Sequence, residues 1–188
     1  MRDMRELTFG QPAGGIFQVA YTVSDITRAA ELFTQRLGVG PWYSIDYHSG
    51  SSALYRGRPT RLHLSILRGF VGHLNVELVC QLDDTPSVFR DTIDKSGYGF
   101  HHWNIASLDF DRDVKHYEQL GYEYAYYDTI NGHRLAFMDA TRDLPGMIEI
   151  CEMTSDQEQL LERMRLASVN FDGTNPIRDQ NALVAGGR

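Results

Sequence analysis

The sequence predicts an α+β fold built from two tandem βαβββ modules, followed by a C-terminal helical extension. An internal repeat is the first reason, since residues 14–38 align with residues 98–121 when Gln18 is placed on His102. The order of local patterns is the second reason, because each copy shows a β-rich run, a helix and then several strands. In addition, the last strand of each copy carries a single glutamate among apolar residues, so the two copies also agree in their chemistry.

The first module covers residues 14–81. Its β-rich run, Phe17–Val23, leads to Asp25, whose side chain can accept hydrogen bonds from the free N–H groups at a helix start. The helix that follows has its apolar residues on one face and ends at Gly38, a residue type that readily adopts the left-handed conformation of a helix terminus. The hydrophobic period then changes to two. This change predicts the strands Trp42–Tyr47, Ser52–Arg56, Arg61–Leu67 and Leu74–Cys80.

The second module covers residues 98–153 and repeats this order. The run His102–Ser107 is followed by Asp109 as the predicted helix cap, and the helix again ends at a Leu-Gly pair. A hairpin turn is predicted at Asn131-Gly132. The predicted strands are Tyr122–Tyr127, Arg134–Asp139 and Met147–Cys151.

Three segments lie outside the modules. Residues 1–13 form an N-terminal arm, and residues 82–97 form a connector with a short helix. Residues 154–188 form the extension, whose helix begins with a predicted capping box over Ser155–Glu158. From Asp172 onward the extension contains Gly, Asn and Pro, which predicts a loop or a docking tail.

The composition narrows the classes of protein to consider. The formal net charge of −7 opposes binding to nucleic acid, and no apolar run approaches the roughly 20 residues that a membrane span needs. Two cysteines do not suggest a disulfide framework, and the first 15 residues lack the apolar segment of a signal peptide. We therefore expect a soluble, cytoplasmic protein that binds neither nucleic acid nor membranes.

Four residues stand at corresponding places in the two copies: Gln18 and Glu77 in the first, His102 and Glu149 in the second. Amide oxygen, carboxylate oxygen and imidazole nitrogen together suit one divalent ion such as Zn, Ni, Co, Mn or Fe. For either glutamate alone, an edge-strand or solvent-facing position is the favoured interpretation. The duplicated arrangement favours a metal centre, because carboxylates among apolar neighbours are costly to bury without a positive partner.

The double repeat resembles the vicinal oxygen chelate superfamily, also called the glyoxalase/bleomycin-resistance/dioxygenase superfamily. The resemblance covers about residues 14–152. It rests on the Gln18-Val19-Ala20-Tyr21 strand with Asp25 and the helix to Leu37-Gly38, on His101-His102 with Asp109, and on the two strand glutamates. In that family the paired modules curl into a cleft, and metal ligands come from the first and last strand of each module. The order Gln, Glu, His, Glu is similar to that of glyoxalase I, and the layout is also similar to that of methylmalonyl-CoA epimerase.

The resemblance implies a metal-dependent lyase, isomerase or epimerase that stabilises an enediolate or enolate of a small-molecule substrate. Glu149 would act as the base, with Glu77 as a possible partner on the opposite face. His101 would point to the other face of its strand and is interpreted as structural. The family also suggests a homodimer. Candidate pocket residues are Trp42, Tyr55, Arg61, His63, Trp103, Tyr126 and Phe137.

Three alternatives remain open at this stage. A metal-free protein of the same fold could bind an aromatic ligand or an antibiotic between its aromatic side chains. An extradiol dioxygenase with Fe²⁺ is less favoured, because its triad of two histidines and one carboxylate would need a histidine where Gln18 stands. A regulatory partner protein could dock through residues 154–188. The metal content would separate the enzyme interpretation from the binding and regulatory ones.

Overall fold

The computed structural model describes residues 5–185, so residues 1–4 of the predicted arm and 186–188 of the predicted tail lie outside it. The described chain forms one eleven-stranded sheet with five helices. The strands are β1 (Ile16–Thr22), β2 (Trp42–His48), β3 (Leu54–Tyr55), β4 (Arg58–Pro59), β5 (His63–Val71), β6 (Leu74–Gln81), β7 (Gly99–Ser107), β8 (Glu123–Ile130), β9 (His133–Asp139), β10 (Met147–Glu152) and β11 (Ile177–Asp179). The helices are α1 (Ile26–Leu37), α2 (Val88–Ser96), α3 (Phe110–Gln119), α4 (Ser155–Ser168) and α5 (Asn181–Ala185).

The two predicted modules lie side by side in this sheet. The strand order is β11-β2-β5-β6-β1-β7-β10-β9-β8-β3-β4, with β1 antiparallel to β7 at the centre. The first and last strands of each module pair in parallel, β1 with β6 and β7 with β10. The four strands expected to carry the metal ligands are therefore neighbours.

The sheet curves until its two ends meet. The short strand β3 follows β2 in the chain, yet it pairs with β8 at the far end of the sheet. The hydroxyl oxygens of Tyr47 on β2 and Tyr126 on β8 lie 2.8 Å apart. The predicted α+β fold with a curved sheet and a cleft is confirmed.

Local signals in the sequence explain where the module helices begin and end. Asp25 and Asp109 cap α1 and α3, each accepting a hydrogen bond from the backbone N–H three residues later. Gly38 follows α1 with a φ of 70°, a left-handed conformation that Gly adopts without a Cβ clash. Helix α2 occupies the connector, as predicted, and buries Val88 and Phe89. None of the helices in residues 5–185 is both long and apolar enough to cross a membrane.

Two segments differ from the sequence prediction. The strand expected over residues 52–56 is reduced to β3, because Arg56 and Gly57 both have positive φ and form the two-residue turn of the small β3–β4 hairpin. The tail expected after Asp172 contains β11, which pairs in parallel with β2 and extends the sheet. Three residues are too few for a strand period to be recognised in a sequence.

Helix α4 holds the N-terminal arm against the sheet. Its N-cap is Thr154 rather than the predicted Ser155, and Glu158 does not close a capping box. The buried Glu158 carboxylate accepts hydrogen bonds from Arg5 Nη2 at 2.8 Å and from Thr8 N at 2.8 Å. The side chain that the capping box would need is therefore bound to the arm.

Removing the Glu158 carboxylate is expected to destabilise the fold. Glu158→Ala leaves the N–H of Thr8 without its acceptor, which should lower the free energy of unfolding by roughly 1–3 kcal/mol. Glu162→Ala is the matched control, because Glu162 makes an ion pair with Arg165 on the same helix, worth roughly 0–1 kcal/mol. Urea unfolding of both variants measures the difference, and equal losses would contradict the structural role of Glu158.

Candidate metal centre and cavity

The four predicted ligands come together in one chain. His102 Nε2 lies 3.0 Å from Glu149 Oε2 and 3.9 Å from Glu77 Oε1. Gln18 Nε2 lies 3.5 Å from Glu77 Oε2. Gln18 and His102 are at most 1% exposed, and the two glutamates are also buried. This arrangement follows from the adjacent strands β6, β1, β7 and β10, each of which contributes one of the four.

Two buried histidines determine which nitrogen of His102 carries the proton. His101 Nε2 lies 3.1 Å from the carbonyl oxygen of Val88, so this nitrogen must be the donor. Burial lowers the pKa of His101 to about 3, so the ring is neutral and its Nδ1 accepts. His102 Nδ1, 2.8 Å away, is then the donor of that hydrogen bond. In the neutral ring of this tautomer, the lone pair of His102 Nε2 faces the two carboxylates.

The donor set fits a divalent metal ion. Among the residues that the structure describes, His102 Nε2 is buried and has no hydrogen-bond partner, although Glu149 Oε2 is 3.0 Å away. Two buried carboxylates beside one imidazole nitrogen leave an excess of negative charge, which a divalent ion bound between the three side chains would balance. Burial raises the pKa of Glu77, and the nearby Glu149 adds to this rise. When metal–ligand bonds of about 2.0–2.2 Å meet at right angles, neighbouring ligand atoms lie about 3 Å apart. This expected separation matches the 3.0 Å between His102 Nε2 and Glu149 Oε2.

Gln18 is held by two asparagines. It donates through Nε2 to Asn75 Oδ1 at 2.6 Å, and its oxygen accepts from Asn104 Nδ2 at 2.9 Å. The Asn75 amide is itself fixed, because it donates to the carbonyl of Gly69. In this arrangement the amide nitrogen of Gln18 lies beside Glu77, and Gln18 would offer its oxygen there after its amide turned over.

Asn104 is a residue of this centre that the sequence analysis missed. Its Nδ2 also donates to Glu149 Oε2, and its buried Oδ1 has no hydrogen-bond partner within residues 5–185. It is therefore a further candidate oxygen ligand. A signal was available, since Asn104 follows His102 by two residues on β7 and so lies on the same face of the strand.

A cavity opens above this centre. Glu77, Asn104 and Glu149 lie at its floor, and aromatic rings of Tyr47, Phe89, Tyr126 and Phe137 form much of its wall. The polar side chains Arg68, Asn131, His133, Gln157 and Gln180 also line it. The cavity is therefore mostly apolar with a few polar groups, as is typical of small-molecule sites.

The predicted pocket residues are divided between this cavity and other places. Tyr126 and Phe137 lie in the cavity wall. Trp42 is fully buried beneath α1, where its Nε1 donates to Thr34. Trp103 packs on the opposite face of the sheet, in the cluster beneath α3.

Three other predicted pocket residues make contacts outside the cavity lining. Tyr55 donates a hydrogen bond to Asp91, and the exposed Arg61 donates to a backbone carbonyl in the β2–β3 loop. His63 Nε2 lies 2.8 Å from Asp46 Oδ1 at the surface.

Tyr126 belongs to a hydrogen-bonded chain at one end of the cavity. Tyr47 donates to Asp128 Oδ2 at 2.7 Å, so its oxygen accepts the hydrogen of Tyr126 at 2.8 Å. Burial raises the pKa of both tyrosines, and both hydroxyls stay protonated. Asp128, fully buried, also accepts from the backbone N–H of Gly50. This chain fixes the aromatic wall in position.

Comparisons with known proteins agree with the fold described above. Among solved structures, methylmalonyl-CoA epimerase from Mycobacterium tuberculosis has a TM-score of 0.52 and 19% identity, over 83% of this chain and 95% of that one. A hypothetical protein from Bacillus halodurans C-125 has a TM-score of 0.54 and 16% identity, over 75% of this chain and 95% of that one. At these identities the likeness concerns the fold. No curated protein sequence matches this chain significantly.

A family model described as Glyoxalase/Bleomycin resistance protein/Dioxygenase superfamily matches residues 17–137. The match spans β1 to β9 and includes three of the four predicted ligands. The chain belongs to the glyoxalase/bleomycin resistance protein/dioxygenase superfamily.

Proposed function

We propose that this protein is a divalent-metal-dependent lyase, isomerase or epimerase of the glyoxalase type, which stabilises an enediolate or enolate formed from a small-molecule substrate. One observation carries the proposal. His102 Nε2 lies beside the carboxylates of Glu77 and Glu149, and these two carboxylates line the floor of a mostly apolar cavity.

His102, Glu77 and Glu149 would hold one ion of Zn, Ni, Co, Mn or Fe, with Gln18 or Asn104 as an amide ligand. When bound, such an ion supplies Lewis acidity toward substrate oxygens as negative charge develops on them.

The chain's own groups would move the proton. Asn104 donates to Glu149 Oε2, which leaves Oε1 of this carboxylate to accept a proton from the substrate carbon. Glu77 lies across the centre and would return a proton on the opposite face. The apolar wall keeps water away from the intermediate.

The test combines metal content with isotope exchange. Protein purified without a His tag is analysed by plasma mass spectrometry, and its Ni²⁺, Co²⁺ and Zn²⁺ forms are incubated in D₂O with hemithioacetals, 2-hydroxy ketones and acyl-CoA thioesters. We expect about one metal ion per chain and metal-dependent deuterium incorporation next to a carbonyl. Absence of metal uptake would contradict the metal centre. Full loading without exchange on any of these compounds would contradict the enolate chemistry.

The second candidate function is metal-free binding of an aromatic ligand or an antibiotic, which the aromatic wall of the cavity favours. In that case an aromatic compound would bind equally well before and after treatment with EDTA. An extradiol-type dioxygenase is favoured less, because this centre offers one histidine that faces the carboxylates rather than two.

The proposal also covers the cellular location and the oligomeric state of the protein. We infer a cytoplasmic location, which two free cysteines, Cys80 and Cys151, support. We also infer a homodimer from the family. Size-exclusion chromatography with light scattering measures the oligomeric state directly.

His101 should matter for metal binding without touching the ion. His101→Phe removes the acceptor that holds the proton on His102 Nδ1, so His102 can take the other tautomer and protonate the nitrogen that faces the carboxylates. We expect the affinity for Zn²⁺ to fall about 10- to 100-fold. Competition titration with a chromophoric chelator measures this. His133→Phe is the control, since His133 lies in the cavity lining, and an equal loss in both variants would contradict the tautomer argument.

A further inference from the structure

We propose that the polar end of this cavity binds the carboxylate of an anionic substrate, with Arg68 as its partner. This inference rests on the proposed function and extends it, because it names the substrate class of the same site. Superfamily membership leaves the substrate open, whereas the charges inside the cavity are particular to this chain.

Arg68 lies next to the metal centre and has an unused donor. It stands opposite Glu77 in the β5–β6 register, which places both side chains on the cavity face of the sheet. Its Nη2 donates to Gln180 Oε1 at 3.1 Å. Its Nε is buried and, over residues 5–185, has no hydrogen-bond partner. A guanidinium with too few acceptors is costly to bury, and a carboxylate in the cavity, which the Arg68 side chain lines, would supply acceptors to it.

The neighbouring polar groups also present donors. The oxygen of Gln180 accepts from Arg68, so its amide NH₂ is the end that remains for a ligand. Gln157 Nε2 donates to His133 Nδ1 at 3.2 Å, which leaves the other ring nitrogen of His133 as the N–H. Burial and the charge of Arg68 both lower the pKa of His133, so the ring is a neutral donor.

The charge balance points to a monoanion. A divalent ion would neutralise the two carboxylates of Glu77 and Glu149, and Arg68 would then be left with an unbalanced positive charge in a mostly apolar cavity. A substrate carboxylate restores neutrality and can bind a guanidinium through two parallel hydrogen bonds.

The C-terminal extension, residues 154–188, contributes two side chains to the polar end of the cavity. Gln180 directly follows β11, and its own N–H donates to the carbonyl of Ser44 on β2. Gln157 comes from α4. The extension therefore forms the end wall of the cavity and positions Arg68 toward the substrate.

The test measures binding of phenylacetate and of phenylacetamide, which have the same shape but differ in charge, by isothermal titration calorimetry. The Glu77→Gln/Glu149→Gln variant is used without metal, because it neutralises both carboxylates and leaves the Arg68 charge unbalanced. We expect phenylacetate to bind about ten- to a hundredfold more tightly than phenylacetamide. Adding Arg68→Met should abolish this preference, whereas adding Arg61→Met, which removes an exposed charge outside the cavity, should preserve it.

The same pair of compounds is measured with wild-type and Arg68→Met protein loaded with Ni²⁺, which keeps the test valid if the double variant does not fold. A carboxylate preference that is as large in Arg68→Met as it is with Arg68 present, in either background, would overturn the assignment of Arg68. Equal binding of the two compounds before Arg68 is changed would overturn it as well. Failure to load Ni²⁺ would contradict the proposed metal-dependent function alone, since the metal-free variant still reports on Arg68.

Discussion

Glu149→Gln is expected to slow deuterium exchange into the substrate by roughly 10²- to 10⁴-fold, which is the usual contribution of a positioned base. Glutamine keeps the shape of the side chain and can still accept a hydrogen bond from Asn104, but it cannot take up a proton. Exchange is followed by NMR in D₂O, on the compound that the fully loaded wild-type protein exchanges fastest.

The control for this variant is Glu152→Gln, in the same strand. Glu152 lies three residues after Glu149, and its carboxylate pairs with Arg134 on the other face of β10. Its loss should change the exchange rate by about twofold at most. The metal content of Glu149→Gln is measured beside the rate, because an unloaded variant would be inactive for a different reason. A fully loaded Glu149→Gln that exchanges at the wild-type rate would contradict the role of Glu149.

The repeat in the sequence was sufficient to predict that Gln18, Glu77, His102 and Glu149 lie close together, for a physical reason. In each module the first and last strands pair in parallel, so a ligand placed on each of them is brought beside the other. The antiparallel pairing of β1 with β7 then joins the two halves. The sequence alone shows that the ligands occupy corresponding positions in the two modules. Because the modules pair through their first strands, side chains at these positions lie close together in the fold.

The cavity wall was harder to predict, because it depends on which side of each strand faces inward. The register places Arg68 opposite Glu77, and Leu64 and Ile66 share its face of β5. His63 is an odd-numbered neighbour on the same strand, so it faces the other side. Alternation along a strand divides its residues into an odd-numbered and an even-numbered set. Without the strand register, it does not tell which of the two sets lines the cavity.

The same parity argument accounts for the two tryptophans. On β2 the cavity residues are Ile45 and Tyr47, so Trp42 falls on the opposite face and packs beneath α1. On β7 His102 and Asn104 face the centre, which places Trp103 on the outer side. Large aromatic side chains fit either face of a sheet, and residue type alone therefore carries little information about a pocket.

The end wall depends on contacts that no local pattern reveals. Gln180 reaches the cavity because β11 adds to the edge of β2, more than a hundred residues away in the chain. Such a contact has no period and no motif in the sequence. The β11–β2 pairing creates it, since Ile45 and Tyr47 of β2 also line the cavity.

His102→Ala is expected to abolish metal binding. It removes the only imidazole nitrogen that, among the described residues, faces Glu77 and Glu149. Loss of a residue that only hydrogen-bonds to a metal ligand lowers metal affinity by roughly 10- to 100-fold. Because His102 is itself a proposed ligand, we expect the affinity for Zn²⁺ to fall by more than this. Plasma mass spectrometry after gel filtration should show a fall from about one ion per chain to a small fraction of one.

The control for His102→Ala addresses a second group of metal-binding side chains. Asp46, His48 and His63 have ligand atoms within 4.8 Å of one another at the surface, so they could hold metal without any relation to the cavity. His63→Ala disrupts this group and should leave the tightly bound ion in place. If His63→Ala removes the ion and His102→Ala retains it, the metal belongs to the surface group. The buried carboxylates would then need another partner, and Arg68, beside Glu77 in the register, is the cation placed to provide it.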